Sequence, residues 1–183
     1  KLYTEIKKSQ FESGYPFEMF DDNVNNSHPL RGLGRVKISN LCTEILQHQK
    51  TSVINDYDQE DDIGLDVSCN LGSLDIHNAT KAYDFEDLIN TSMRMLTSVS
   101  DTTSINNVPS VAKANRQMHS VGLGVMNLHG HLVDSGIEYG SKESLEFVDV
   151  LFTAINYFSI KSSMETAKSR KVKFYGFEVS DYA

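Results

Sequence analysis

The run that begins at Ser141 constrains the fold most. Leu145, Val148, Phe152, Ile155 and Phe158 recur at helical spacing and make one apolar stripe. A helix with such a stripe needs a partner surface, and Ser141 is a suitable N-cap. The stripe reads as core packing, with a subunit interface as the alternative. A second amphipathic helix is predicted after Asp84, from Phe85, Leu88, Ile89, Leu96 and Val99. From near Ser110 the chain reads as helical through His119 toward Val133, with Gly122 and Gly124 letting that helix pack closely. Gly136 and Gly140 mark its exit.

Upstream the pattern changes. Residues 1–31 are polar and rich in turn signals, among them Ser13-Gly14-Tyr15-Pro16 and Asn25-Asn26-Ser27-His28-Pro29. Pro16 to Phe20 reads as a short strand. Arg35 to Leu46 reads as extended, and Leu65 to Ile76 as a mostly buried strand with a bend at Gly72. The acidic stretch from Gln49 to Asp62 reads as a solvent-facing loop. Strands first and helices later make a mixed α/β pattern, and one that looks incomplete by itself. It predicts an incompletely closed sheet with exposed apolar edges.

Charge and cysteine usage narrow the function. Asp and Glu number 25 against 17 Lys and Arg, a net charge of -8, which argues against duplex nucleic acid as a partner. A small phosphorylated substrate remains compatible. No apolar run approaches the roughly 20 residues a membrane helix needs. The chain starts at Lys1 with no leader, which suggests a fragment or a processed product. Two cysteines, Cys42 and Cys69, are too few for a secreted disulfide framework. They read as buried small residues or as functional thiols in a reducing compartment.

Asn40-Leu41-Cys42-Thr43-Glu44 is the informative segment. On an extended backbone the amide, thiol and carboxylate would share one side, with Leu41 and Ile45 on the other. Such a trio supplies a hydrogen-atom or nucleophilic centre, a hydrogen-bonding anchor and a general base. A strand with a buried cysteine and a solvent-facing glutamate fits the same spacing. Gly122-Leu123-Gly124 begins like a dinucleotide fingerprint, but Asn127 stands where the next glycine is required. His129-Gly130-His131 lacks a third donor and reads as surface or core histidines. Neither a zinc-protease helix motif nor a phosphate loop is present.

Ser39-Asn40-Leu41-Cys42-Thr43-Glu44-Ile45 resembles the radical-cysteine finger loop of ribonucleotide reductase large subunits. Gly14-Tyr15-Pro16-Phe17 with Met19-Phe20 resembles the family's strand before that loop. Ser68-Cys69-Asn70-Leu71-Gly72-Ser73-Leu74 resembles the second cysteine strand. Val108-Pro109-Ser110 and the run Gly122 to Gly130 resemble the family's next helical stretch, in the form of the aerobic Ib subclass. Gly176-Phe177-Glu178 and Tyr182-Ala183 also fit, so the likeness covers nearly the whole chain in order.

The resemblance implies that residues 1–183 are part of a ten-stranded α/β barrel, a partial catalytic domain with Cys42 on an inserted loop. It implies that Cys42 is the transient thiyl radical that takes the 3′-hydrogen of the ribose. Glu44 then handles the 3′-hydroxyl proton, Asn40 binds the ribose hydroxyls with Ser39 beside it, and Cys69 is one of two reducing thiols. The partner of Cys69 lies in the family's N-terminal part, so Cys42 and Cys69 are not each other's disulfide partner. It further implies a ribonucleoside diphosphate substrate, a metal-containing small subunit that supplies the radical, a thioredoxin- or glutaredoxin-type reductant, a homodimer and a cytoplasmic setting. The allosteric ATP/dNTP sites lie elsewhere in the full subunit, and the segment alone is expected to be inactive with no cofactor bound. Two other readings stay open: the adenosylcobalamin-dependent branch of the family, and a non-catalytic split-gene product acting as an association module.

Overall fold

A computed structural model describes all residues, 1–183. They divide into two compact units, Lys1–Val67 with Gly176–Ala183, and Ser68–Tyr175.

The second unit is a strand–helix–strand crossover with a long helix packed on it. β1 (Asn70–Asp75) pairs in parallel with β2 (Val121–Met126), Asn70 opposite Val121 and Asp75 opposite Met126. Parallel neighbours need a long connection. Here it is α3 (Ile76–Ala79), α4 (Phe85–Thr102) and α5 (Pro109–Met118). After β2 come α6 (Leu128–Asp134) and α7 (Lys142–Arg170). α4 and α7 start where the sequence predicts. The Asp84 carboxylate accepts from the Asp87 N–H at 2.9 Å, and the Ser141 hydroxyl accepts from the Ser144 N–H at 3.2 Å. α7 ends at Lys171 in the left-handed region, with Lys168 and Arg170 in its last turn, where cations suit the helix dipole.

The core forms where α4 and α7 meet the sheet. Ile76, Ile89, Leu151 and Ile155 are buried there, with Leu74, Phe85, Leu123, Val125, Phe147 and Phe158 around them. Each such side chain contributes about 1.5–3 kcal/mol by leaving water. Of the stripe predicted on α7, only Ile155 and Phe158 join this core; Leu145 and Phe152 are exposed, and Phe147 and Leu151 pack in their place. The sheet has only two strands, so each has an unpaired edge, and Leu71 and Met126 remain exposed. This is the open sheet expected of a partial barrel.

The first unit has little apolar interior. α1 (Leu2–Ser13) buries no residue, and α2 (Asp21–Ser27) buries only Asn25. Polar contacts replace burial. The Asn25 amide donates to the Val36 carbonyl at 3.1 Å, while its oxygen accepts from the Val36 N–H at 2.8 Å. Arg31 donates to both carboxylate oxygens of Asp181 at 2.8 Å. Two isolated antiparallel bridges, Lys50 with Leu65 and Val53 with Asp62, interrupt the acidic stretch read as a loop.

Several expectations are corrected. Residues 1–31 hold two helices, which had no apolar stripe to reveal them. Pro16 to Phe20 is not a strand, because the Tyr15 and Pro16 carbonyls accept from Ser9 and Gln10 of α1. Residues 35–46 form no strand, since an asparagine side chain takes the Val36 ladder positions and a turn follows. The strand read over 65–76 shortens to Asn70–Asp75. Gly122 and Gly124 lie in β2, not in a helix; α5 stops at His119, whose φ is +49°.

Candidate functional site

The Cys42 loop is a tight turn. The Thr43 N–H donates to the Asn40 carbonyl at 3.1 Å, closing the turn around Leu41 and Cys42. The Asn40 side-chain oxygen then accepts from the Ile45 N–H at 3.0 Å, and the Ser39 hydroxyl donates to the Asn40 carbonyl at 3.0 Å. Asn40 thus holds both ends of the turn, which displays Leu41, Cys42 and Glu44 as exposed residues. Thr43, between thiol and carboxylate, sits at φ +65°. A β-branched residue in the left-handed region is an outlier, and strain of about 1–3 kcal/mol collects at functional turns. Because the backbone turns here, the period-two argument for one shared side does not apply; the turn itself brings Asn40, Cys42 and Glu44 into one short loop.

Cys69 lies in the other unit, immediately before β1, and is half-buried; neither cysteine is in a disulfide. Strand alternation sends Asn70, Gly72 and Leu74 toward the helices and Cys69, Leu71 and Ser73 to the opposite face. Gly122 and Gly124 of β2 share that opposite face. A Cβ at Gly122 would stand 3.2 Å from the Cys69 sulfur, and one at Gly124 would stand 3.2 Å from the Ser73 hydroxyl oxygen. The sulfur therefore leans over the Gly122 backbone beside the Leu71 side chain, which lies 2.6 Å from the same Cβ position, so a side chain at residue 122 would push both.

Behind the strand is a buried polar chain that sequence reading missed. The Asn70 amide donates to the Ser100 hydroxyl at 2.8 Å, which donates to the Asn115 oxygen at 2.9 Å. The Asn115 amide donates back to the Ser100 carbonyl at 2.9 Å. The available signal was an asparagine on the small-residue face of α5, next to Ala112 and Ala114. Farther along, Asp75 caps α3 by accepting from the Asn78 N–H at 2.9 Å, and this bond holds its carboxyl below the usual range. Asp101 is likewise lowered, first by the Arg170 guanidinium and then by His119, whose ring nitrogen lies at 2.8 Å.

The paired histidines serve packing: His131 stacks on Phe147 at 4.8 Å, and His129 meets Tyr139 edge-on at 5.8 Å. No three His, Cys, Asp or Glu side chains gather as a metal site, and no helix is long and apolar enough to cross a membrane.

Parallel strands joined by helices, with a thiol on the face turned away from those helices, make this a segment of an α/β protein. The sequence matches the ribonucleotide reductase barrel domain along residues 1–183, and the chain belongs to that family. It is 46% identical over its whole length to the ribonucleoside-diphosphate reductase subunit alpha of Bacillus subtilis, covering 26% of that protein. It is 38% identical to the corresponding subunit of Mycoplasma pneumoniae, covering 25% of it. The chain thus spans about a quarter of the length of these relatives. Among solved structures it resembles the Actinobacillus ureae class Id ribonucleotide reductase alpha subunit, with a TM-score of 0.77 at 22% identity. That match covers 97% of this chain and 33% of the other, and it supports the shared fold.

Proposed function

We propose that this chain is the part of a ribonucleoside-diphosphate reductase catalytic subunit that carries the thiyl radical and one of the two reducing thiols. The observation that carries the reading is the Cys42 turn: a thiol displayed between Asn40, which braces the loop, and Glu44, beside a strained Thr43.

Cys42, as a thiyl, takes the 3′-hydrogen, forming its S–H bond as the ribose C–H bond breaks. Glu44 accepts the 3′-hydroxyl proton, and Asn40 with Ser39 binds the ribose hydroxyls. The 2′-hydroxyl then leaves as water, with a proton from the Cys69 pair. Cys69 and a second thiol of the full subunit give up two electrons and two protons and close a disulfide. Cys42 returns its hydrogen to C3′ and is a thiyl again, and Glu44 returns its proton to the 3′-oxygen. The sum is one ribonucleotide and two thiols giving one deoxyribonucleotide, one disulfide and water.

A metal-containing partner subunit supplies the radical, and a thioredoxin- or glutaredoxin-type protein reduces the disulfide. The full subunit works as a cytoplasmic homodimer that binds allosteric nucleotides outside these residues. The test is the full-length subunit carrying Cys42→Ser. It should bind ribonucleoside diphosphate as the parent does and form no deoxyribonucleotide. Product formation at the parental rate would overturn the reading.

A further inference from the structure

We infer that Asn70 is a positioning residue for Cys69, working through Ser100 and Asn115. The inference rests on the reading of Cys69 as a reducing thiol and adds how the fold holds that thiol in place.

The hydrogen bonds run one way. Asn70 donates to Ser100 at 2.8 Å, and the single hydroxyl proton of Ser100 goes to Asn115 at 2.9 Å. The Asn115 amide closes the chain on the Ser100 carbonyl at 2.9 Å. Ser100 and Asn115 are 2% and 4% exposed, so water does not compete for the two bonds between them. A buried polar chain with every member satisfied specifies one geometry, where an apolar contact tolerates several. The Asn70 N–H also donates to the Ser120 carbonyl at 3.3 Å, tying the residue after Cys69 to the approach to β2.

Placement along the strand singles out this position. Of the helix-facing residues of β1, Gly72 packs on Leu96 and Leu74 joins the apolar core. Only the position beside Cys69 is anchored by polar bonds. On the other face the sulfur stands over Gly122, where the Leu71 side chain also lies. The bonds of Asn70 to Ser100 and Ser120 fix the backbone from which the thiol projects.

The experiment uses the full-length subunit with its radical-supplying partner and a dithiol reductant. It measures kcat, KM and deoxyribonucleotide formed per ribonucleotide consumed. Asn70→Ala and Ser100→Ala should each lower kcat by about 10- to 100-fold, the scale of a roughly 1 Å misplacement of a reacting group. KM should stay within about twofold, since the anchor does not touch substrate. The yield per ribonucleotide consumed should drop, because Cys42 still starts the reaction. The double variant should be no worse than the weaker single variant, as members of one chain are non-additive. Asn70→Thr, which suits a strand, serves if the alanine variant does not fold.

Ser162→Ala is the control. It removes an equally buried bond, from the Ser162 hydroxyl to the Asn90 side-chain oxygen at 2.8 Å, and should leave yield at the parental level. Parental kcat and yield in Asn70→Ala, or an equal loss of yield in Ser162→Ala, overturns the inference. Cys69→Ser separates the two layers. If it still makes product at the parental rate, the reading of Cys69 fails; if it does not and Asn70→Ala is parental, only the positioning role fails.

Discussion

The two units reach defined structure by different physical means. Of the eleven buried apolar residues, nine lie in the Ser68–Tyr175 unit and only Val36 and Leu65 lie in the other. The first of these shapes itself by taking Ile76, Ile89, Leu151 and Ile155 out of water. The other is shaped by polar side chains: Asn25 and Asn40 satisfy backbone groups of Val36 and Ile45, and Arg31 pairs with the Asp181 carboxylate. Burial gives stability but covers what it stabilises. An amide clamp orders a turn and leaves its tip open, which suits a loop whose thiol has to meet a substrate. The thiol of the other unit, on a strand, has a polar anchor behind it instead.

The largest expected contrast comes from the core. Ile89→Ala should destabilise the Ser68–Tyr175 unit by about 4 kcal/mol, through lost burial plus the cavity left behind. Urea unfolding of the chain measures this, and a loss below about 1 kcal/mol would break the claim that burial dominates there. Asn25→Ala comes next. It leaves the buried N–H and carbonyl of Val36 without their partner, at about 2–3 kcal/mol. Hydrogen exchange should rise over residues 21–45 and stay unchanged in β1, α4 and α7. A uniform rise would show that the clamp is not local.

The smallest contrast is in acid. Burial holds the His28 and His48 imidazoles below their usual range, and for His28 the neighbouring His48 adds to this. A depressed histidine favours folding in its neutral form. That stability is complete above about pH 6.5 and is lost as pH falls from there toward the folded value. In the other unit Asp101 is depressed mainly by Arg170. Its stability is complete above about pH 4 and is lost only as pH falls below that. Both residues of that pair are more than a third exposed, so its contribution is under about 1 kcal/mol. Hydrogen exchange, corrected for intrinsic rate, should therefore rise first in the histidine-bearing unit between pH 7 and 5. His28→Gln should flatten that rise, and the reverse order of loosening would break the comparison.

Local chemistry was readable wherever a residue acts on near neighbours. Asp84 and Ser141 announced their helices, because a capping oxygen needs only the N–H three residues on. Periodicity announced α7 as a helix, because 3.6-residue spacing is a local pattern. It placed Leu145 and Phe152 on the core face, however, where the structure has Phe147 and Leu151. Asn40, Cys42 and Glu44 lie within five residues, so spacing made them a candidate trio, while the family resemblance chose that reading and singled out Cys69. What could not be read were pairings between residues far apart in sequence. Gly122 and Gly124 look like helix interruptions until β1 lies beside them and the Cys69 sulfur leans over the gap. Asn25 looks like a turn residue until Val36 turns both backbone groups toward it. Ser100 and Asn115 are ordinary helix residues until Asn70 arrives from another element. Capping and periodicity are properties of a few consecutive residues, whereas hydrogen bonds and contacts across 11 to 53 positions exist only once the chain has closed on itself.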